Sequence, residues 1–92
     1  MTEQQRIEET LEIFRAHIKS RGHQMTPDER IREKTAADLV GVAPKTLRTM
    51  RAGLQGPAFI KIAGTVWYRL NDIARYVENG RYETIETALR SK

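Results

Sequence analysis

The 92 residues carry 30% charged and 7% aromatic side chains, with 16 Lys and Arg against 12 Asp and Glu and no cysteine. This length suits one small domain, and the composition is that of a soluble globular chain, not a disordered one. A disulfide framework and thiolate metal ligation are excluded, no apolar run approaches the roughly 18 residues of a membrane span, and residues 1–5 lack the basic start and apolar core of a secretion signal, so a cytoplasmic location is expected.

The net charge of +4 says less than its distribution. Residues 1–34 hold seven basic and seven acidic side chains, the remainder nine and five. No acid stands between Asp38 and Asp72, while Lys45, Arg48, Arg51, Lys61 and Arg69 all lie there. A long one-signed block in a balanced chain points to a polyanionic partner.

In chain order, residues 3–20 predict an amphipathic helix. Ile7, Leu11, Phe14 and Ile18 form one stripe at spacings of four, three and four, and Gly22 supplies a left-handed cap. The stripe suits packing on the chain's own body or a short contact with a second copy. Thr26-Pro27-Asp28-Glu29 reads as a helix start, with Thr26 as cap and Glu29 closing a capping box. A second start is expected at Thr35, with Asp38 in the first turn and Gly41 as terminator. A third helix is expected over Pro44–Ala52. Leu47 and Met50, joined by Leu54, face inward there, and Lys45, Arg48, Thr49 and Ala52 face outward. Thr46 and Arg51 fall on its flanks. Two short helices across a Gly-containing turn follow the helix-turn-helix plan.

Phe59–Ile62 and Val66–Arg69 predict a β-hairpin. A three-residue loop, Ala63-Gly64-Thr65, would place Ile60, Ile62, Val66 and Tyr68 on one face and Phe59, Lys61, Trp67 and Arg69 on the other. A last helix starts at Asn71-Asp72, buries Leu70, Ile73, Tyr76 and Val77, and is expected to end at Gly80. Tyr82, Ile85, Ala88 and Leu89 would share a face if the tail is helical. The expected organisation is an N-terminal amphipathic helix (1–23), a winged helix-turn-helix domain (24–80) and a short tail (81–92). The fold class is mainly α with a small β-hairpin.

The helix beginning at Pro44 breaks a rule that the other helix starts obey. Lys45 stands where a carboxylate is favoured and no acid is near, an arrangement that a phosphate would turn to advantage. Pro44, Lys45, Thr46, Arg48, Thr49 and Arg51 are therefore the candidate DNA-binding residues of this helix. Arg48 and Thr49 would reach base edges, and Lys45 and Arg51 phosphates. Lys61, Gly64, Thr65 and Arg69 are candidates on the hairpin. Trp67 and the stripe Ile7, Leu11, Phe14 and Ile18 are candidates for protein contact, the blander expectation being that Trp67 covers the N-terminal helix. His17 and His23 have no ligand-spaced partners, Ser20 and Ser91 no identifiable base, and no Gly-rich phosphate loop occurs. No enzyme, metal or cofactor is expected.

The runs Thr35-Ala36-Ala37-Asp38-Leu39-Val40-Gly41-Val42, Pro44-Lys45-Thr46-Leu47-Arg48, Gly56–Gly64, Val66-Trp67-Tyr68-Arg69 and Asp72–Val77 resemble, in order and spacing, the excisionase-like winged-helix family of the MerR superfamily. The resemblance covers residues 33–80. It implies a recognition helix from Pro44 in the major groove, a wing tip at Gly64, and several copies side by side on repeated sites. It implies double-stranded DNA as partner, with bending that steers an integrase toward excision. A transcriptional regulator of the same fold, or an interaction module that has lost DNA binding, are the alternatives. The chain departs from the family at Ala43, where Ser is usual, at Met50, where an aromatic is common, and at Thr65 and Trp67, where basic residues are common.

Overall fold

The stripe at Ile7, Leu11, Phe14 and Ile18 organises the first helix, α1 (Glu3–Arg21), and all four side chains are buried in the chain's own core. In the computed structural model residues 2–90 are described, residues 81–90 as backbone alone. Thr2 and Gln5 close a capping box at the start of α1, and Gly22, at φ 68°, ends it. Since α1 packs on the C-terminal helix, its apolar stripe is occupied within the chain and is not an open seam for a second copy.

Thr26-Pro27-Asp28-Glu29 does not start a helix. It forms a turn into a three-residue strand, β1 (Arg30–Arg32). The Thr26 hydroxyl accepts from a backbone N–H as a cap would, but the donor is Arg30, at 2.9 Å, and the Thr26 N–H donates to the Arg30 carbonyl at 3.0 Å. Thr side chains stabilise turns by this same chemistry. Glu29 sits at φ 59°, and Arg15 of α1 grips its carboxylate at 2.6 and 2.9 Å.

The second helix, α2 (Glu33–Val40), starts two residues before Thr35, which is buried inside it and is not its cap. Glu33 therefore supplies the acid of the first turn, and Asp38 moves to the C-terminal half. Gly41 closes α2 at φ 89°, and residues 41–43 lead straight into α3 (Pro44–Ala52), as expected. Leu47 is the buried anchor of α3 and Met50 packs beside it. Leu54 does not join them: it lies past the helix end at φ 57° and is 86% exposed. The chain then folds Gly56 (φ 84°) against α3 so closely that a Cβ there would stand 3.1 Å from Met50 Cε.

Two further strands, β2 (Ile60–Ile62) and β3 (Thr65–Arg69), complete an antiparallel sheet of order β1-β3-β2. Ile62 pairs with Thr65, so the loop has two residues, Ala63 (φ 51°) and Gly64 (φ 79°), not three. Both central φ values are positive, the type I′ geometry that matches strand twist. The shorter loop changes the faces. Ile60, Ile62, Thr65, Trp67 and Arg69 share one side with Arg30 and Arg32 of β1; Lys61, Val66 and Tyr68 share the other with Ile31. The second side faces the core, where Ile31 and Tyr68 are fully buried. Ile62, expected on that side, is 45% exposed.

The last helix, α4 (Leu70–Arg90), follows β3 without a break, and the Leu70 N–H donates to the Glu29 carbonyl at 2.9 Å. Its helical backbone runs through Gly80, a residue a helix interior tolerates at about 1 kcal/mol relative to Ala. Leu70, Ile73 and Ala74 are buried, and Val77 packs against the core. The expected face of Tyr82, Ile85, Ala88 and Leu89 lies outside the described side chains. Glu78 is only 5% exposed; the Thr10 hydroxyl of α1 donates to it at 2.8 Å, and Arg6 lies 3.9 Å away. The fold is thus mainly helical, with a small three-stranded antiparallel sheet. Among the described residues no helix is long and apolar enough to cross a membrane.

Candidate nucleic-acid interface

Helix α3 is held from below and left open above. Leu47 anchors it, while Pro44, Lys45, Thr46, Arg48, Thr49 and Ala52 are exposed. The N-cap, Ala43, provides no side-chain hydrogen bond, and the first turn contains no acid. Its leading backbone N–H groups beyond Pro44 are therefore uncapped beside the Lys45 ammonium. Among the described residues neither Lys45 nor Arg48 forms an ion pair. The Thr49 hydroxyl donates to the Lys45 carbonyl at 3.0 Å, so its proton is engaged while its oxygen lone pairs and methyl group remain available.

Arg51 belongs to a different arrangement. Its guanidinium donates to both oxygens of Glu33, at 2.7 and 3.3 Å, and stacks over Phe59 with 5.7 Å to the ring centroid. The Tyr68 hydroxyl donates to the same Glu33 carboxylate at 2.9 Å. Arg51, expected at a phosphate, is engaged in this internal node, which ties α2, α3 and β3 together. Arg51, followed by the Tyr68 hydroxyl, holds the Glu33 carboxyl below its ordinary range against the opposing effect of burial. Burial first, then the Glu33 charge, push the Tyr68 phenol up to about 12.

The hairpin candidates separate. Lys61 is exposed on the core-facing side of the sheet, near the turn, and Gly64 forms the turn itself, with nothing within 4 Å of a built Cβ. Thr65 and Arg69 point to the opposite side, and Arg69 lies at the far end of β3, opposite Arg30. Trp67 does not cover α1. It lies between two guanidiniums of the neighbouring strand, with Arg30 and Arg32 each 5.2 Å from its ring centroid. It lines a shallow hollow with His23, Gln24, Met25, Thr26 and Arg32. Sequence reading missed Arg30 and Arg32 as surface cations because β1 was not foreseen. Arg30 is paired with Asp28 at 2.8 Å, and Arg32 is exposed.

The candidate surface is therefore the outer side of α3 with Lys45, Thr46, Arg48 and Thr49, with the Lys61–Gly64 turn as a second exposed element. Compared with protein-family models, curated proteins and solved structures, the chain matches none.

Proposed function

We propose that this chain is a non-enzymatic, sequence-specific DNA-binding protein in which α2 and α3 act as a helix-turn-helix and the β2–β3 hairpin as its wing. The supporting observation is the exposed basic side of α3, which carries uncapped N–H groups and, with no ion pair among the described residues, Lys45 and Arg48. In the resemblance drawn from residues 33–80 this helix enters the major groove. The N-terminus of α3 and Lys45 would bind phosphate. Arg48 has the fork geometry to read guanine O6 and N7, and Thr49 offers an acceptor oxygen and a methyl group for a thymine methyl. Lys61 and the Gly64 turn would approach the adjacent backbone.

Within this class we favour a recombination directionality factor that binds repeated sites side by side, bends DNA and steers an integrase toward excision. Bending a site by 40–90° costs on the order of 1–6 kcal/mol, which several bound copies would share. A transcriptional regulator of the same architecture would use the same surface. An interaction module is the competing reading, motivated by Trp67 between Arg30 and Arg32 on the outer side of the sheet.

Footprinting on DNA flanking the gene, followed by titration of the selected duplex and a scrambled one, tests the proposal. Arg48→Ala is expected to weaken specific binding by about 1–3 kcal/mol and nonspecific binding much less. Equal losses on both duplexes would reduce Arg48 to a phosphate contact, and no binding to any duplex at low salt would favour the interaction module.

A further inference from the structure

At the C-terminal end of α1, two histidines six residues apart converge on an aspartate from another helix. His17 comes from α1, His23 follows its Gly22 cap, and Asp38 comes from α2. Both imidazole Nε2 atoms meet the same carboxylate oxygen, Oδ2 of Asp38, at 2.8 and 3.0 Å. The potential ligand atoms of the three residues all lie within 4.8 Å of one another. We propose that His17, His23 and Asp38 form a site for one divalent transition-metal ion of the zinc class, which fastens α1 to α2.

The donor set selects the metal class. Two imidazole nitrogens with one carboxylate oxygen suit Zn²⁺, Ni²⁺ or Cu²⁺, whereas Mg²⁺ and Ca²⁺ take predominantly oxygen ligands. Ligand atoms about 2.0–2.1 Å from a tetrahedral Zn²⁺ stand roughly 3.3 Å apart. The two N···O contacts need to open by a few tenths of an ångström, and the two imidazole nitrogens, within 4.8 Å of each other, need to settle at the same spacing by side-chain rotation. The rings are tilted by 45° with centroids 6.2 Å apart, so they converge on Asp38 edge-on and are not stacked on one another.

The backbone under the site is fixed. The Gly22 N–H donates to the Lys19 carbonyl at 3.2 Å and the His23 N–H to the Ile18 carbonyl at 3.0 Å, the double bond of a Schellman cap. This closure folds His23 back beside His17. Asp38 is placed against the helix dipole, a carboxylate near the C-terminal end of α2, where negative charge is disfavoured. Among the described residues its carboxylate meets the two histidines and forms no ion pair with Lys or Arg. Binding would replace the Nε2-bound protons that now bridge each ring to Asp38, and the exposed side of Asp38 leaves a fourth position for water.

The test uses the tag-free chain. Calorimetric titration with Zn²⁺ is expected to give one equivalent per chain, and Tm should rise by about 10–20 °C at free zinc 100-fold above its Kd. Mg²⁺ should do neither. Co²⁺ should develop the visible d–d absorption of a low-symmetry tetrahedral site. His23→Gln and Asp38→Asn should each weaken zinc binding more than 100-fold, beyond the roughly 10–100-fold that loss of an outer-shell partner costs. In the wild-type chain, imidazole resonances of both His17 and His23 should move on zinc addition, a readout that no variant's folding can compromise. Absence of stoichiometric binding, unchanged affinity in the His17→Gln, His23→Gln, Asp38→Asn triple variant, or a response confined to one histidine would each overturn the proposal.

Discussion

Replacing Glu33 by Gln isolates the node that joins α2, α3 and β3. The substitution keeps the shape and one acceptor for Tyr68 but removes the charge shared by Arg51 and the buried phenol. A hydrogen bond to a charged partner contributes about 1.5–3 kcal/mol. The Glu33–Arg51 pair is exposed by only about a fifth on either side, 18% and 20%, so solvent screens it less than an open surface pair. We expect Glu33→Gln to destabilise the fold by about 2–3 kcal/mol, a large share of the roughly 5–15 kcal/mol typical of a domain. At about 4–8 °C per kcal/mol, Tm should fall by about 10–20 °C. The effect has a defined pH window. The folded carboxyl lies below its unfolded value of 4.5, so the stabilisation is complete above that value. It declines as pH falls below it and vanishes once pH has passed below the depressed folded value. Urea unfolding of both proteins between pH 3 and 7 reads this directly. A difference under about 0.5 kcal/mol at pH 7, as for an exposed ion pair, or one that does not shrink toward pH 3, would refute the reasoning.

Ala63→Asn should raise stability by about 0.5–1 kcal/mol in the same assay, because Ala63 occupies a left-handed position of the turn that Asn tolerates better; a loss would contradict the two-residue loop. Leu11→Ala removes a buried contact between α1 and α4 and should cost about 2–5 kcal/mol. A cost near zero would mean that α1 is not part of the core. If about four phosphates are contacted, the logarithm of the DNA affinity should fall with that of salt at a slope near −3.5, and Lys45→Ala should flatten the slope by about one; an unchanged slope would remove Lys45 from the backbone contacts.

The readable parts of the sequence were those in which one side of an element is apolar at its own period. The stripe of α1 and the span of α3 carry such a pattern, and their burial follows it; the hairpin strands form where expected but pair in another register. Strand β1 carries none. Arg30-Ile31-Arg32 becomes a strand because β3 offers it an edge and Ile31 a place in the core beside Tyr68. The Thr26 motif misleads because one hydroxyl can satisfy a backbone N–H in a helix cap or in a turn, and the neighbouring sheet decides between them. The hairpin register was expected to keep Ile60, Ile62, Val66 and Tyr68 on one face, but the two-residue loop leaves Val66 and Tyr68 on the core side and turns Ile60 and Ile62 to the other, where Ile62 is 45% exposed.

The candidate DNA surface was legible for a local reason, since helix spacing alone puts Lys45, Arg48 and Thr49 on the side away from Leu47. The Glu33 contact of Arg51 was not legible because Glu33 lies 18 residues away, and no spacing rule connects them. The same holds for Asp38, which is 21 residues from His17 and 15 from His23. Only the packing of α1 and α2 against α4 brings that trio together.

The measurement that bears most directly on the DNA-binding account is an amide-resolved NMR titration of the full chain with its footprinted duplex. The account predicts the largest shifts at Lys45, Thr46, Arg48 and Thr49, with a second, smaller group at Lys61 and Gly64. Shifts concentrated instead at Arg32, Trp67 and Arg69, with α3 unmoved, would contradict it.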